Sequence, residues 1–259
     1  MIRPFTNFWL PESKWWQGDV TNGLEIPFGL QLGLRGAGGI TLDDDIQHAY
    51  IIGAENSGKD NLVSIIMEQV CCKYHPLNLH ILYFGNTERF KSKRFDELPH
   101  VTNIYGDWAT MTNEVLEIAR TRKPDTRYLL IIEGGSLLSD FEDFMWELNG
   151  SGVHVIRITE YLDNLDVLSF FRAHAALRCS PKDSIEVIGS ICAHAAPALY
   201  GYIWVRENMM GSAEDVVCYR MPFIDPARLY DQQLLDKLIS THKAPATAKC
   251  LVDLIVNHP

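Results

Sequence analysis

Residues Ile51–Leu62 read "IIGAENSGKDNL". Gly53, Gly58 and Lys59 fall at the fixed positions of GxxxxGK[ST], in which a strand runs into a glycine-rich loop and the loop opens a helix. Such a loop aims backbone N–H groups and a helix N-terminus at a phosphate, and its lysine adds a point charge. The apolar "AYII" before it and the helical periodicity after it supply the context the pattern requires. Gly53, Ala54, Glu55, Asn56, Ser57, Gly58, Lys59 and Asp60 are therefore the candidate nucleotide-binding residues.

The last position departs from the pattern. Asp60 stands where a Ser or Thr hydroxyl ligates magnesium, and it carries a charge of the same sign as a phosphate. Two unit charges ~4 Å apart at an effective dielectric near 20 repel by roughly 4 kcal/mol. Glu55 adds a second anion to the loop. Two readings stand: Asp60 satisfies the free N–H groups and the positive end of the helix itself, or it ligates magnesium directly and ATP still binds. The first is preferred.

The rest of the chain alternates buried-strand runs with helical patterns. "AYIIG" (49–53), "LHILYFG" (79–85), "RYLLIIEGG" (127–135), "VHVIRIT" (153–159) and "HAALRC" (174–179) predict strands. Residues 59–75, 107–122, 137–152 and 162–172 predict helices, with Asp107 and Asp163 as caps. This alternation specifies an α/β fold with a mostly parallel sheet covered on both faces. A glycine-punctuated hairpin is expected over Ile26–Asp45, and an antiparallel pair from "LYGYIWVRE" and "EDVVCYRMPF" (199–207 and 214–223). "PARLYDQQLLDKLI" (226–239) predicts a closing amphipathic helix. The organisation follows as a lead-in over 1–45, a core over 46–241 and a helical tail over 242–259.

A second nucleotide motif is an apolar strand ending in Asp, which positions magnesium and the attacking water. "YLLIIEGG" supplies the strand, with Glu133 in the Asp position and Gly134 after it. No carboxylate is left to activate water, so no catalytic residue is expected to be active. Glu133 is either a metal ligand through water or a strand-end acid at the sheet rim. Thr159 and Glu160, at the tip of the next strand, occupy the place of residues that sense a terminal phosphate, and again one is an acid.

Composition narrows the partners. Lys and Arg total 23 against 33 Asp and Glu, a formal charge of -10, which disfavours a duplex-DNA motor needing basic surface. "RFKSKR" (89–94) is the one dense basic run, and it is read as a solvated loop or a contact to an acidic neighbouring domain. The six cysteines show no CxxC spacing and are expected as reduced, mostly buried thiols, and the nine scattered histidines offer no zinc site. Ser57, Ser136 and Ser139 lack a nucleophile elbow. The aromatic pairs in "WWQGD" (15–19) and "FFRA" (170–173) are expected in core or interdomain packing, a cargo groove being the sharper alternative. No apolar run reaches the ~18 to 20 residues that span a bilayer, and the N-terminus lacks a signal-peptide core.

Taken in order, "FWLPE" (8–12), "IPFGLQ" (26–31), the loop, "LPHV" (98–101), "LLIIEGG" (129–135) and "GVHVIRIT" (152–159) resemble the FtsK/SpoIIIE-like ATPase domains of EssC/EccC, the type VII secretion motor. The similarity runs from about Phe8 to Phe223. It implies a RecA-like P-loop NTPase fold, one of several tandem cytoplasmic copies in a membrane-anchored bacterial protein. It also implies neighbouring ATPase domains and small helical secreted proteins as partners, a hexamer in the full-length motor, and no nucleic acid. The eroded loop points to the C-terminal copy. The family's lysine maps to Lys59, its hydroxyl to Asp60 and its strand-end Asp to Glu133, while an arginine of active relatives falls near His174, flanked by Arg172 and Arg178. No cofactor is expected; ATP and magnesium belong to the alternative of a working ATPase.

Overall fold

The computed structural model describes residues 9–32, 37–134, 140–162, 164–205, 216–224 and 229–243. Six parallel strands form the centre of the sheet: β3 (His48–Ile52), β4 (Leu79–Phe84), β5 (Val101–Tyr105), β6 (Arg127–Glu133), β7 (Val153–Thr159) and β8 (Ala173–Ala176). Four more strands, β1 (Leu24–Gln31), β2 (Ala37–Leu42), β9 (Tyr200–Val205) and β10 (Val217–Arg220), extend one side. The order is β2-β1-β10-β9-β8-β3-β7-β6-β4-β5, and every pair from β8 outward through β9, β10, β1 and β2 is antiparallel. Both expected antiparallel units are therefore present, and the mostly parallel sheet is found as predicted.

The strand before the loop, β3, is buried at all five positions because β7 and β8 flank it and helices cover both faces. One face packs α1 (Lys59–Lys73) and α6 (Leu229–Lys243) with residues of the β1–β2 hairpin. The other packs α3 (Trp108–Thr121), α4 (Phe141–Leu148) and α5 (Pro181–Ile188). Helix α1 is buried almost all round, so its polar residues need internal partners. Asn61 meets this by donating to the Pro222 carbonyl at 2.8 Å and accepting from Ile224 N at 2.7 Å. That pair ties the loop's helix to the segment after β10.

Several expectations are refined. Asp107 caps α3, accepting from Thr110 N at 2.8 Å, whereas Asp163 lies outside the described residues. The helix expected over 162–172 is a 3-10 turn, Asp166–Phe170, because the chain leaves β7 and must re-enter the sheet at Ala173 on the far side of β3. Sequence reading missed β5, whose central Thr102 and Asn103 are exposed at the sheet edge and break the apolar run. It also missed α5, despite Ser180 capping Asp183 N with Pro181 in the first turn. Residues 244–259, the expected tail, lie outside the described residues.

The aromatic pairs serve packing. Trp16 donates to the Cys71 carbonyl at 3.0 Å, and Phe171 sits edge-on to Tyr50 with centroids 5.4 Å apart. Cys71, Cys72, Cys179, Cys192 and Cys218 are free thiols, the first three buried.

Candidate functional site

The carboxyl ends of β3, β6 and β7 meet at a cleft, the position at which open parallel sheets bind ligands. The loop strand β3 and the acid-bearing strand β6 are separated by β7 alone. The cleft over the loop has a volume of about 640 Å³, and its lining includes Lys59, Arg89, Glu160, Leu199 and Phe223.

The loop backbone keeps the P-loop form. Gly53 N donates to the Thr159 carbonyl at 3.0 Å and Ala54 N to the Arg178 carbonyl at 2.8 Å, which anchors the loop to both flanking strand ends. Asn56 has φ 58° and Gly58 φ 106°, the left-handed conformations that curl the chain into the first turn of α1. A side chain at Gly53 would meet Ser57 Oγ at 2.4 Å, so glycine is required there as well. Ser57 Oγ is buried and has no hydrogen-bond partner among the described residues.

Lys59 is 9% exposed and turned into the loop. Its ammonium donates to the carbonyls of Gly53 at 2.6 Å and Ala54 at 2.8 Å, and Glu160 lies 3.5 Å away. Among the described residues no side chain caps the N-terminus of α1 at Gly58. The expectation that Asp60 satisfies the N–H groups of its own helix is therefore not met: its carboxylate turns outward to another partner.

That partner is Arg89. One guanidinium nitrogen lies 2.6 Å from Asp60 Oδ1 and the other 2.5 Å from Glu133 Oε1. Glu133, 8% exposed, also accepts from the Tyr83 hydroxyl at 2.6 Å. Lys93 donates to the Asp60 carbonyl at 2.9 Å and Ser64 Oγ at 3.0 Å. Burial works against the charge on Arg89, but the Glu133 and Asp60 carboxylates outweigh it and raise its pKa. Burial first, then the neighbouring Glu133 charge, pushes the Tyr83 hydroxyl far above its usual value. Burial lowers the Lys93 ammonium against the opposing pull of Asp60 and Glu133.

Arg89 belongs to "RFKSKR", and this basic run is not the solvated loop of one reading: its first four residues fall in α2 (Thr87–Ser92), which brings Arg89 onto the cleft. Asn86 caps α2 by accepting from Arg89 N at 3.0 Å, and the buried Phe90 stacks on Tyr83 with centroids 4.0 Å apart. Arg89 is thus held on both sides by its neighbours in sequence. One signal marked the helix beforehand, an Asn-Thr start; that Arg89 would meet Glu133 followed only from β4 lying beside β6.

The remaining candidates are placed as follows. Thr159 Oγ1 lies 3.0 Å from the Tyr50 hydroxyl, both buried. His174, near the place of the relatives' arginine, is buried with its ring nitrogens 2.7 Å from the carbonyls of Val187 and Phe171, so it faces the interior of the fold. Arg178 approaches the Asn56 carbonyl at 3.5 Å, while Arg172 is exposed. Glu55, in the loop itself, lines the cleft. Among the described residues no cluster of three or more His, Cys, Asp or Glu side chains forms a metal site.

The cleft fits a magnesium-bound nucleotide in one half only. The backbone nest and Lys59 suit phosphate oxygens. In P-loop NTPases the magnesium is held from the hydroxyl after the loop lysine and from the strand-end acid. Here those positions, 60 and 133, are joined by a guanidinium, and a metal ion and Arg89 do not share that space.

Topology and loop together define a RecA-like P-loop ATPase fold. No family model matches the sequence. The cytoplasmic domain of the type VII secretion ATPase EccC from Thermomonospora curvata superposes with a TM-score of 0.66 at 17% identity, over 90% of this chain and 33% of that one. EssC ATPases 2 and 3 from Geobacillus thermodenitrificans give 0.65 at 12%, over 94% and 53%. T. curvata EccC ATPases 2 and 3, in complex with a signal sequence peptide, give 0.59 at 14%, over 83% and 44%. The chain spans between a third and about half of the length of these proteins. No described helix is long and apolar enough to cross a membrane.

Proposed function

We propose that this chain is an ATPase-like domain of a type VII protein secretion motor that has given up nucleotide hydrolysis and acts by contact. The observation that carries the reading is the Asp60–Arg89–Glu133 bridge, which fills the metal half of a retained P-loop cleft. The likeness to EccC and EssC ATPase domains supports the motor, and tandem domains in those proteins support neighbouring ATPase domains as partners. The signal peptide bound to one of them supports secreted substrates, small helical proteins in this reading, as the second class of partner. In the same reading the domain is cytoplasmic within a membrane-anchored bacterial protein, hexameric when full length, and takes neither nucleic acid nor an ATP–magnesium cofactor.

A working ATPase of the same motor is the reading to be excluded. In the full-length motor, export of its substrates is measured with the domain intact, deleted, or carrying Lys59→Ala. Contact without turnover predicts export lost on deletion and retained with Lys59→Ala. Export lost equally in both, with the Lys59→Ala domain melting at the Tm of the intact one, would establish that the loop is used.

A further inference from the structure

We propose that Arg89 is a tethered substitute for a divalent cation, and that its removal uncovers a cation site formed by Asp60 and Glu133. The inference deepens the non-hydrolytic reading above and rests on it. Asp60 begins α1 and Glu133 ends β6, so their carboxylates converge from two elements that the sheet fixes in place. Without Arg89 the two carboxylates, one of them on a residue only 8% exposed, would have among the described residues only the Lys93 ammonium nearby, and that group is already committed to the Asp60 carbonyl and Ser64 Oγ. A hydrated metal ion relieves such a pair by oxygen ligation, and a guanidinium relieves it by two charge-assisted contacts.

The guanidinium has a kinetic and an entropic advantage. It is present at all times, its backbone N–H is capped by Asn86, and its neighbour Phe90 is stacked on Tyr83, which itself bonds Glu133. Little freedom is lost on forming the bridge, so the cation does not depend on the metal concentration outside. The consequence is a cleft fixed in one arrangement, where a metal-dependent motor alternates between loaded and empty states.

The test uses Mn2+ alone, without nucleotide, followed by the paramagnetic resonance signal of the free ion on the whole chain. The wild type is expected to leave the signal unchanged. Arg89→Ala and Arg89→Gln are expected to bind one Mn2+ at least about tenfold more tightly than the wild type, through hard oxygen ligands. Adding Glu133→Gln to either is expected to remove that gain. In melting experiments Mn2+ raises the Tm of the Arg89 variants and leaves that of the wild type where EDTA leaves it.

Mn2+ bound by the wild type as tightly as by the variants overturns the proposal, as does a folded Arg89 variant that binds none. Should Arg89→Ala not fold, Arg89→Gln carries the titration, and the wild-type arm decides independently of both. Loss of export with Lys59→Ala would defeat the functional reading while leaving these outcomes legible.

Discussion

The two halves of the cleft are built differently. Around Gly53–Lys59 lie a backbone nest, its left-handed φ angles and a buried lysine. Around positions 60 and 133 the side chains form an internal ion-pair cluster with Arg89. The difference teaches that the loop serves the fold. Its N–H groups bond the ends of β7 and β8, and its lysine donates to the carbonyls of Gly53 and Ala54, the second of which also accepts from Ser57 N.

A control far from the cleft gives the largest expected effect. Burial, helped by the nearby His154, lowers the pKa of His48 to about 3, and burial lowers that of His154 to about 4. Both folded values lie below the unfolded one, so the unfolded chain takes up protons first as pH falls through about 6.5 and stability drops until the folded values are reached. Each group should cost about 2 kcal/mol by pH 5. Urea midpoints between pH 7 and 5 check this, with a slope that flattens in His154→Gln and persists in Arg89→Ala. Equal flattening in both would place the acid sensitivity in the cleft instead.

Next comes Glu133→Ala, which leaves Arg89 and the Tyr83 hydroxyl without their shared carboxylate. A loss of about 2–3 kcal/mol is expected from denaturant midpoints, less than for a fully buried pair because Arg89 is partly exposed. The smallest effect separates the two arms of the bridge. A double-mutant cycle should give coupling of about 1–2 kcal/mol between Arg89 and Glu133, and under about 1 kcal/mol between Arg89 and the half-exposed Asp60. Equal couplings would mean that Glu133 gains nothing from its burial.

Much of this was legible in the sequence. Contiguous apolar runs marked β3, β4, β6 and β7, and the GxxxxGK spacing placed the loop at the end of the right one. The cluster was not legible, since proximity of Arg89 to Asp60 and Glu133 depends on β4 lying beside β6, a fact of sheet order. Counting acids along the chain therefore overstated the repulsion in the cleft. Asp60 and Glu133 face Arg89, and Glu160 faces Lys59. Edge strand β5 escaped for a related reason: half its surface meets water and its pattern lost the apolar signature.

The most direct measurement is a calorimetric titration of the chain with ATP in the presence of magnesium, repeated on Lys59→Ala. A cleft whose metal place is taken by Arg89 predicts no heat of binding up to about millimolar nucleotide, the range of affinities at or below about 4 kcal/mol. Micromolar binding that disappears with Lys59→Ala would contradict the account.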